Sequence, residues 1–257
     1  MEQLLEMEWG TFTPQHFISL ALSVAIAVGL HFLLRHKSDK TKRITLFCLS
    51  LLGPMALLHD MYWGLRTSVL LYLPLHLCSY NALLTPILTL TKNRFLGNLI
   101  PLFGVGSAIS MIANTVQAEY TVFSFVFLFH FLSHTMGWCI PLLLFSLGMV
   151  EAHPKYILPC VGTTFGIYTV SHFVNLGVNE ILRMQNVVDS TGELYQVNYM
   201  FSLHDAGNPV LALFRSWIPY EYFYMLAALP IVALAFTAMN IPFFFRRLKA
   251  RRTNQKA

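Results

Sequence analysis

The sequence predicts an all-α membrane protein, a polytopic helix bundle with about seven spanning segments, and three observations carry that expectation. Of its 257 residues, 56% are hydrophobic and 11% charged, a balance far from that of a soluble domain. The apolar residues gather in runs close to the roughly 20 residues that a spanning helix needs. The cations gather in alternate connections between those runs, the asymmetry that sets orientation in a bilayer.

The first run, near 16–34, follows a start that carries Glu2, Glu6 and Glu8 and no Lys or Arg. It lacks the cationic leader of a signal peptide and reads as a true span. Arg35, Lys37, Lys40, Lys42 and Arg43 separate it from the second, near 44–65. The short Arg66 turn leads to the third, near 68–90, and Lys92 and Arg94 precede the fourth, near 95–113. Gln117, Ala118 and Glu119 turn the chain into the fifth, near 120–150, and Lys155 precedes the sixth, near 156–182. The connection over 183–219 is too long for a simple turn and reads as an outward segment, a candidate lid. The seventh run, near 220–245, ends in Arg246, Arg247, Lys249, Arg251 and Arg252. The cation-rich connections at 35–43, 92–94 and 155 and the basic tail then fall on one side, opposite the acidic start, the Arg66 turn and the long connection, which places the N-terminus outside and the C-terminus in the cytoplasm. The chain reads as a single integral membrane domain over 1–257.

The net charge of +5 is accordingly a matter of sidedness, with no nucleic-acid partner implied, and the basic tail suits anionic lipid head groups. Cys48, Cys78, Cys139 and Cys160 all fall inside apolar runs, so no extracellular disulfide framework is indicated. No Asn-x-Ser/Thr acceptor occurs in an outward connection, which favours a bacterial cytoplasmic membrane.

Polar groups interrupt two of these runs. The third holds Leu73-Pro74-Leu75-His76-Leu77-Cys78-Ser79-Tyr80-Asn81 and the fifth Phe129-His130-Phe131-Leu132-Ser133-His134. Such groups are expensive in hydrocarbon and mark functional positions. Counted from Ser68 and from Tyr120, Cys78 and His134 lie roughly 15 and 21 Å deep as helical residues. His59, Asp60, Asn114, His172, Asn175, Asn179 and Glu180 populate the same half of other runs, implying a cavity between helices that opens outward. Cys78 and Asn81, three apart, share a helical face, whereas His76 points elsewhere and suits an orienting role. His130 and His134, four apart, share a face from which an imidazole can serve a thiol as base. The bland readings stand beside these. A lone Cys in an apolar helix is usually an inert small hydrophobe. A His pair at this spacing also fits a metal, with His59, His76 or His172 completing the shell. His16, His31, His36 and His153 read as bonds to neighbouring helices, and Gly104, Gly106, Ser107 and Ala108 as a close-packing face.

The segment Leu73 to Cys78 resembles the YwaF-like family of bacterial integral membrane proteins and its animal relatives, which include a transmembrane lipid acyltransferase. His134 after Phe131-Leu132-Ser133, the Asn198-Tyr199-Met200-Phe201 element, Pro209, and Trp217-Ile218-Pro219-Tyr220 resemble the family pattern in the same order. Carried over by position, the resemblance implies that Cys78 is a thioester-forming cysteine and His134 its histidine, with no cofactor.

The expected function is therefore transfer of acyl chains between phospholipid and lysolipid through Cys78 and His134. Asn81 or Asn114 is expected at the oxyanion, and His76, His130, His172 and Asn175 in support. A zinc-dependent membrane lipid hydrolase using His59, His130 and His134 is the first alternative. A transporter or ligand-binding membrane protein is the second, and no inverted repeat speaks for it.

Overall fold

A computed structural model of the chain describes residues 12–112 and 124–254. Nine α-helices form among these residues: α1 (Pro14–Leu34), α2 (Asp39–Ser50), α3 (Leu52–Gly64), α4 (Leu77–Thr91), α5 (Arg94–Ile112), α6 (Phe125–Ser146), α7 (Ile157–Met184), α8 (Pro209–Trp217) and α9 (Leu229–Asn254). No strand is present among the described residues, only one antiparallel bridge between Val188 and Leu194. Hydroxyl side chains fix several helix starts. Thr13, Ser38 and Ser124 accept from the amides of His16, Thr41 and Phe127, groups that a helix cannot satisfy itself.

Among the described residues, six stretches are long and apolar enough to cross a membrane: Pro14–Leu34, Asp39–Tyr62, Arg94–Ile112, Phe127–Ser146, Pro154–Met184 and Phe223–Leu248. The chain is thus an all-α polytopic integral membrane protein, and six of the seven expected runs coincide with these stretches.

The third run departs from expectation. Instead of one helix over 68–90, a 3-10 turn at Val69–Tyr72 is followed by non-helical backbone, and helix resumes only at Leu77 for 15 residues. Pro74 is the physical cause. It has no N–H and disfavours the helical region for the residue before it. Non-helical backbone within an apolar run must find partners inside the protein. The Tyr199 hydroxyl donates to the Leu70 carbonyl and accepts from the Leu73 amide at 3.2 Å, while Ser171 Oγ donates to the Leu75 carbonyl at 3.4 Å.

By internal contacts the chain falls into two compact units, one of residues 1–59 and 77–151, the other of 60–76 and 152–257. In the first, α5 and α6 are central, with half of their apolar stretches buried against 22% for α1. Their backbones approach closely because small residues line the seam. A Cβ on Gly97 would stand 2.4 Å from Val150, and one on Gly104 2.9 Å from the Gly137 carbonyl oxygen. Leu46, Leu88, Ile100, Cys139, Ile140 and Leu144 fill the core beside this seam. In the second unit, α7 carries the connection 183–219 on its Asn175 and Asn179 side chains, and Val178, Leu182, Val197 and Tyr199 form the core beneath it.

Candidate functional site

The break after Pro74 gives Cys78 a setting that a continuous helix would not provide. It sits in the first turn of α4, where backbone amides lack intrahelical acceptors and the helix presents its positive end. The depth count from Ser68 accordingly fails, since residues 73–76 are not helical. Cys78 is partly buried, with no disulfide, whereas Cys139 and Cys160 are fully buried.

On α6 the two imidazoles stack, their ring centroids 3.9 Å apart. His134 Nδ1 lies 2.9 Å from the His130 carbonyl oxygen and 3.3 Å from Ser133 Oγ. A carbonyl can only accept, so the proton of a neutral His134 resides on Nδ1 and Nε2 carries the free lone pair. The backbone of α6 thereby orients its own histidine and selects the tautomer that acts as a base through Nε2. Ser133 Oγ donates to the same carbonyl at 3.1 Å.

Asn81 joins the two helices. Its Nδ2 donates to the Gly137 carbonyl at 2.7 Å and to Ser107 Oγ at 3.2 Å, and its Oδ1 accepts from Thr85 Oγ1 at 2.9 Å. The side chain has no exposed surface. Gly137 is required at this joint, because a Cβ there would lie 2.7 Å from Ser107 Oγ and 2.8 Å from Asn81 Nδ2.

This joint sets a register. α4 and α5 are antiparallel across the two-residue link Lys92–Asn93, and α5 and α6 are antiparallel through the Gly97–Val150 and Gly104–Gly137 approaches, so α4 and α6 run in the same direction. Cys78 stands three residues before Asn81, and His134 three before Gly137. Each is therefore about 4.5 Å back from the joint along its own helix, on nearly the face that makes it. Cys78 and His134 thus occupy corresponding backbone positions, one turn before the joint on each helix. Directly at the joint is a void of about 10 Å³, lined by Asn81, Thr85, Ser50, Ser133 and Gly137, room for about one water.

Other expected site residues are placed elsewhere. Both amide protons of Asn81 are already donated, so it holds helices together and has none left for an oxyanion. Asn114 lies outside the described residues. His59 packs its ring on Phe129 at 5.1 Å. No three His, Cys, Asp or Glu side chains gather as a metal-ligand set among the described residues, so His59, His130 and His134 do not form the expected alternative zinc shell.

His76, His172 and Asn175 belong to the second unit and all serve one segment. Asn175 Nδ2 donates to the Tyr199 carbonyl and Ser202 Oγ at 2.9 and 2.8 Å, and its Oδ1 accepts from the Tyr199 amide at 2.9 Å. His172 Nδ1 meets Ser202 Oγ at 3.1 Å, and His76 Nδ1 accepts from the Met200 amide at 3.4 Å. Met200 and Phe201 both have positive φ, 57° and 55°, which costs roughly 1–2 kcal/mol per residue without a glycine. The hydrogen bonds around them hold that strain. Burial pushes the Tyr199 phenol up.

The close-packing face read at Gly104 and Ser107 does line the seam between these helices, but its partners Gly137, Ser23 and Thr135 were not picked out. Ser107 and Gly137 serve Asn81, while Ser23 on α1 accepts from Trp138 Nε1 at 3.0 Å and Thr135 Oγ1 at 3.1 Å. Small polar residues in apolar runs were the available signal. His16 and His31 do bond neighbouring helices, through the Met111 carbonyl at 2.8 Å and Ser146 Oγ at 3.0 Å.

A family model described as the TMEM164 family, a transmembrane protein family, matches residues 11–240. No curated protein and no solved structure matches the chain.

Proposed function

The chain belongs to the TMEM164 family of membrane proteins, and from that premise we propose that it is a lipid acyltransferase working through a thioester on Cys78, with His134 as its base. What supports this reading is the Asn81–Gly137 bond, one turn after Cys78 on α4 and one turn after His134 on α6, together with the His130 carbonyl at His134 Nδ1, which leaves Nε2 as the base. The resemblance to the YwaF-like family and its animal acyltransferase relative supports the same assignment.

In the first half-reaction His134 Nε2 takes the Cys78 Sγ proton, and the thiolate attacks the ester carbonyl of a phospholipid. The positive end of α4 faces the developing negative charge, and first-turn amides of α4 take the oxyanion role for which Asn81 has no proton left. Collapse of the tetrahedral intermediate forms the thioester and expels the lysolipid alkoxide, which receives the proton from His134. In the second half, His134 removes the proton of an acceptor lysolipid hydroxyl, that oxygen attacks the thioester, and the thiolate leaves and is reprotonated. Water in place of the lysolipid makes the same site a hydrolase. The proposal keeps the N-terminus outside, the basic tail against anionic head groups, and a bacterial cytoplasmic membrane as the setting.

The test is mass spectrometry of the purified protein after incubation with mixed phospholipids, comparing wild type, Cys78→Ser and His134→Ala. A hydroxylamine-labile acyl adduct on Cys78, diminished roughly 100-fold or more in His134→Ala, is the expected result. Lipid turnover that survives Cys78→Ser with no adduct overturns the acyl-enzyme route and returns weight to metal-dependent hydrolysis or simple ligand binding.

A further inference from the structure

The connection between α7 and α9 has two halves of opposite character. Residues 187–195 form a polar turn closed by the Val188–Leu194 bridge, with half-buried Asp189 and exposed Ser190, Thr191 and Glu193 at its tip. The second half, from α8 to the start of the last span, is mostly apolar, with Arg215, Ser216 and Glu221 its charged or hydroxyl-bearing aliphatic side chains. Leu211 and Phe214 face inward against Tyr224. On the opposite face Val210, Leu213 and Trp217, spaced i, i+3 and i+7, are 56%, 49% and 62% exposed, and Tyr220 and Phe223 continue them at 67% and 53%. These exposures match those of Phe173 on α7 and Leu234 on α9, 66% and 68%, within stretches that cross the membrane.

A surface helix in contact with water has a polar face. The polar groups of α8 are instead consumed internally. Ser216 Oγ donates to the Leu213 carbonyl at 2.7 Å, Arg215 lies 4.0 Å from the Asp205 carboxylate, and Asn208 Oδ1 accepts from the amides of Val210 and Leu211. The Ile218 amide donates to the Phe214 carbonyl at the other end. Helix ends closed in this way suit a medium without water to bond them. At nine residues α8 is too short to cross a bilayer. Its chain runs through Trp217 and Tyr220, residues enriched at membrane interfaces, directly into the span that starts at Phe223.

We infer that α8 is an interfacial membrane helix, with Val210, Leu213, Trp217 and Tyr220 seated in the head-group and upper acyl region of one leaflet, while the turn at 187–195 stands in water. The occupant of this face is phospholipid, in continuity with the lipid-facing surface of the last span. The connection is thus a fixed membrane-surface element held to α7 by Asn175 and Asn179, and only its first half projects. The inference stands whether or not the chain transfers acyl groups.

Tryptophan fluorescence of the protein in phospholipid vesicles tests it. The chain has four tryptophans, so Trp217 is isolated as the difference between wild type and Trp217→Phe. Lipids brominated near the head of the acyl chain quench that difference signal and aqueous iodide does not. A second variant, Thr191→Trp in the Trp217→Phe background, reverses the pattern, losing its added emission to iodide and not to brominated lipid. Iodide quenching of Trp217 would place α8 in water and overturn the inference. Quenching by neither agent would mean that protein covers the face, a second copy included, and would overturn it as well.

Discussion

Two buried asparagines, Asn81 and Asn175, each use both amide protons and the carbonyl, yet they stabilise different things. Asn81 reaches across a helix seam to the Gly137 carbonyl, which Pro141 four residues on leaves without a helical donor, so the bond satisfies that one acceptor and sets register between two regular helices. Asn175 reaches to an amide and a carbonyl of Tyr199, in backbone with no helix to satisfy it. One joint aligns rigid parts, and the other makes an irregular part possible. The difference predicts that loss of Asn175 is a folding defect and loss of Asn81 a defect of alignment.

The largest effect is expected from Asn175→Leu. It strands the Tyr199 amide and carbonyl and deprives Ser202 of a partner, each buried. At about 1–3 kcal/mol for a stranded buried group, a loss of roughly 3 kcal/mol is expected in detergent unfolding, with faster hydrogen exchange over 197–202. Unchanged exchange there would show that the segment holds its strained Met200 and Phe201 conformations without α7.

Asn81→Leu is the sharper test of alignment. Pro141 has no N–H to offer the Gly137 carbonyl, so the variant strands that carbonyl and deprives Ser107 and Thr85 of a partner, and a stability loss of about 2 kcal/mol is expected. The acyl adduct on Cys78, if the proposed chemistry holds, falls about 10-fold through misplacement of thiol against imidazole. A variant that melts earlier but forms the adduct at the wild-type rate would reduce Asn81 to packing.

The spans were legible in the sequence because length and apolar content alone decide them. The third was not. Pro74 announced a disturbance, but whether the helix bends or stops depended on Tyr199 and Ser171, more than 90 positions away in the chain. Cys78, His130 and His134 stood out for the same reason as the spans, being polar against an apolar background. Their register did not, because it depends on Asn81 and the carbonyl of Gly137; Pro141 marks that carbonyl as lacking a helical donor, but nothing in the sequence names Asn81 as its partner. His172 and Asn175 were visible as polar positions, yet their work is to hold 199–202, which a helical pattern cannot reveal.

Gly137 extends the comparison within one unit. Gly137→Ala places a methyl within 2.8 Å of Asn81 and Ser107, whereas Gly29 on α1 has nothing within 4 Å of its would-be Cβ. Overpacking predicts a cost of about 1–3 kcal/mol for the first, and relief of helix entropy a gain of about 0.5–1 kcal/mol for the second. Parallel thermal unfolding of the two alanine variants checks this, and equal midpoints would mean that the seam yields.

The smallest effect belongs to the projecting turn, where Asp189 plays by side chain alone the part that the asparagines play in the helices. Its Oδ1 accepts from Thr191 Oγ1 at 2.7 Å and from the amides of Thr191 and Glu193 at 2.8 and 3.1 Å, which holds the carboxyl below its usual range. A depressed folded value means that the contribution is complete above the unfolded value of about 4 and is lost as pH falls through the folded one. Because the group sits on the projecting turn, the effect is local and global melting stays unchanged. Proteolytic nicking at 188–194 should rise below pH 4 in wild type, whereas Asp189→Ala should nick at that higher rate already at pH 7. An acid response identical in Asp189→Ala would assign it to the protein at large and leave the turn held by its backbone bonds.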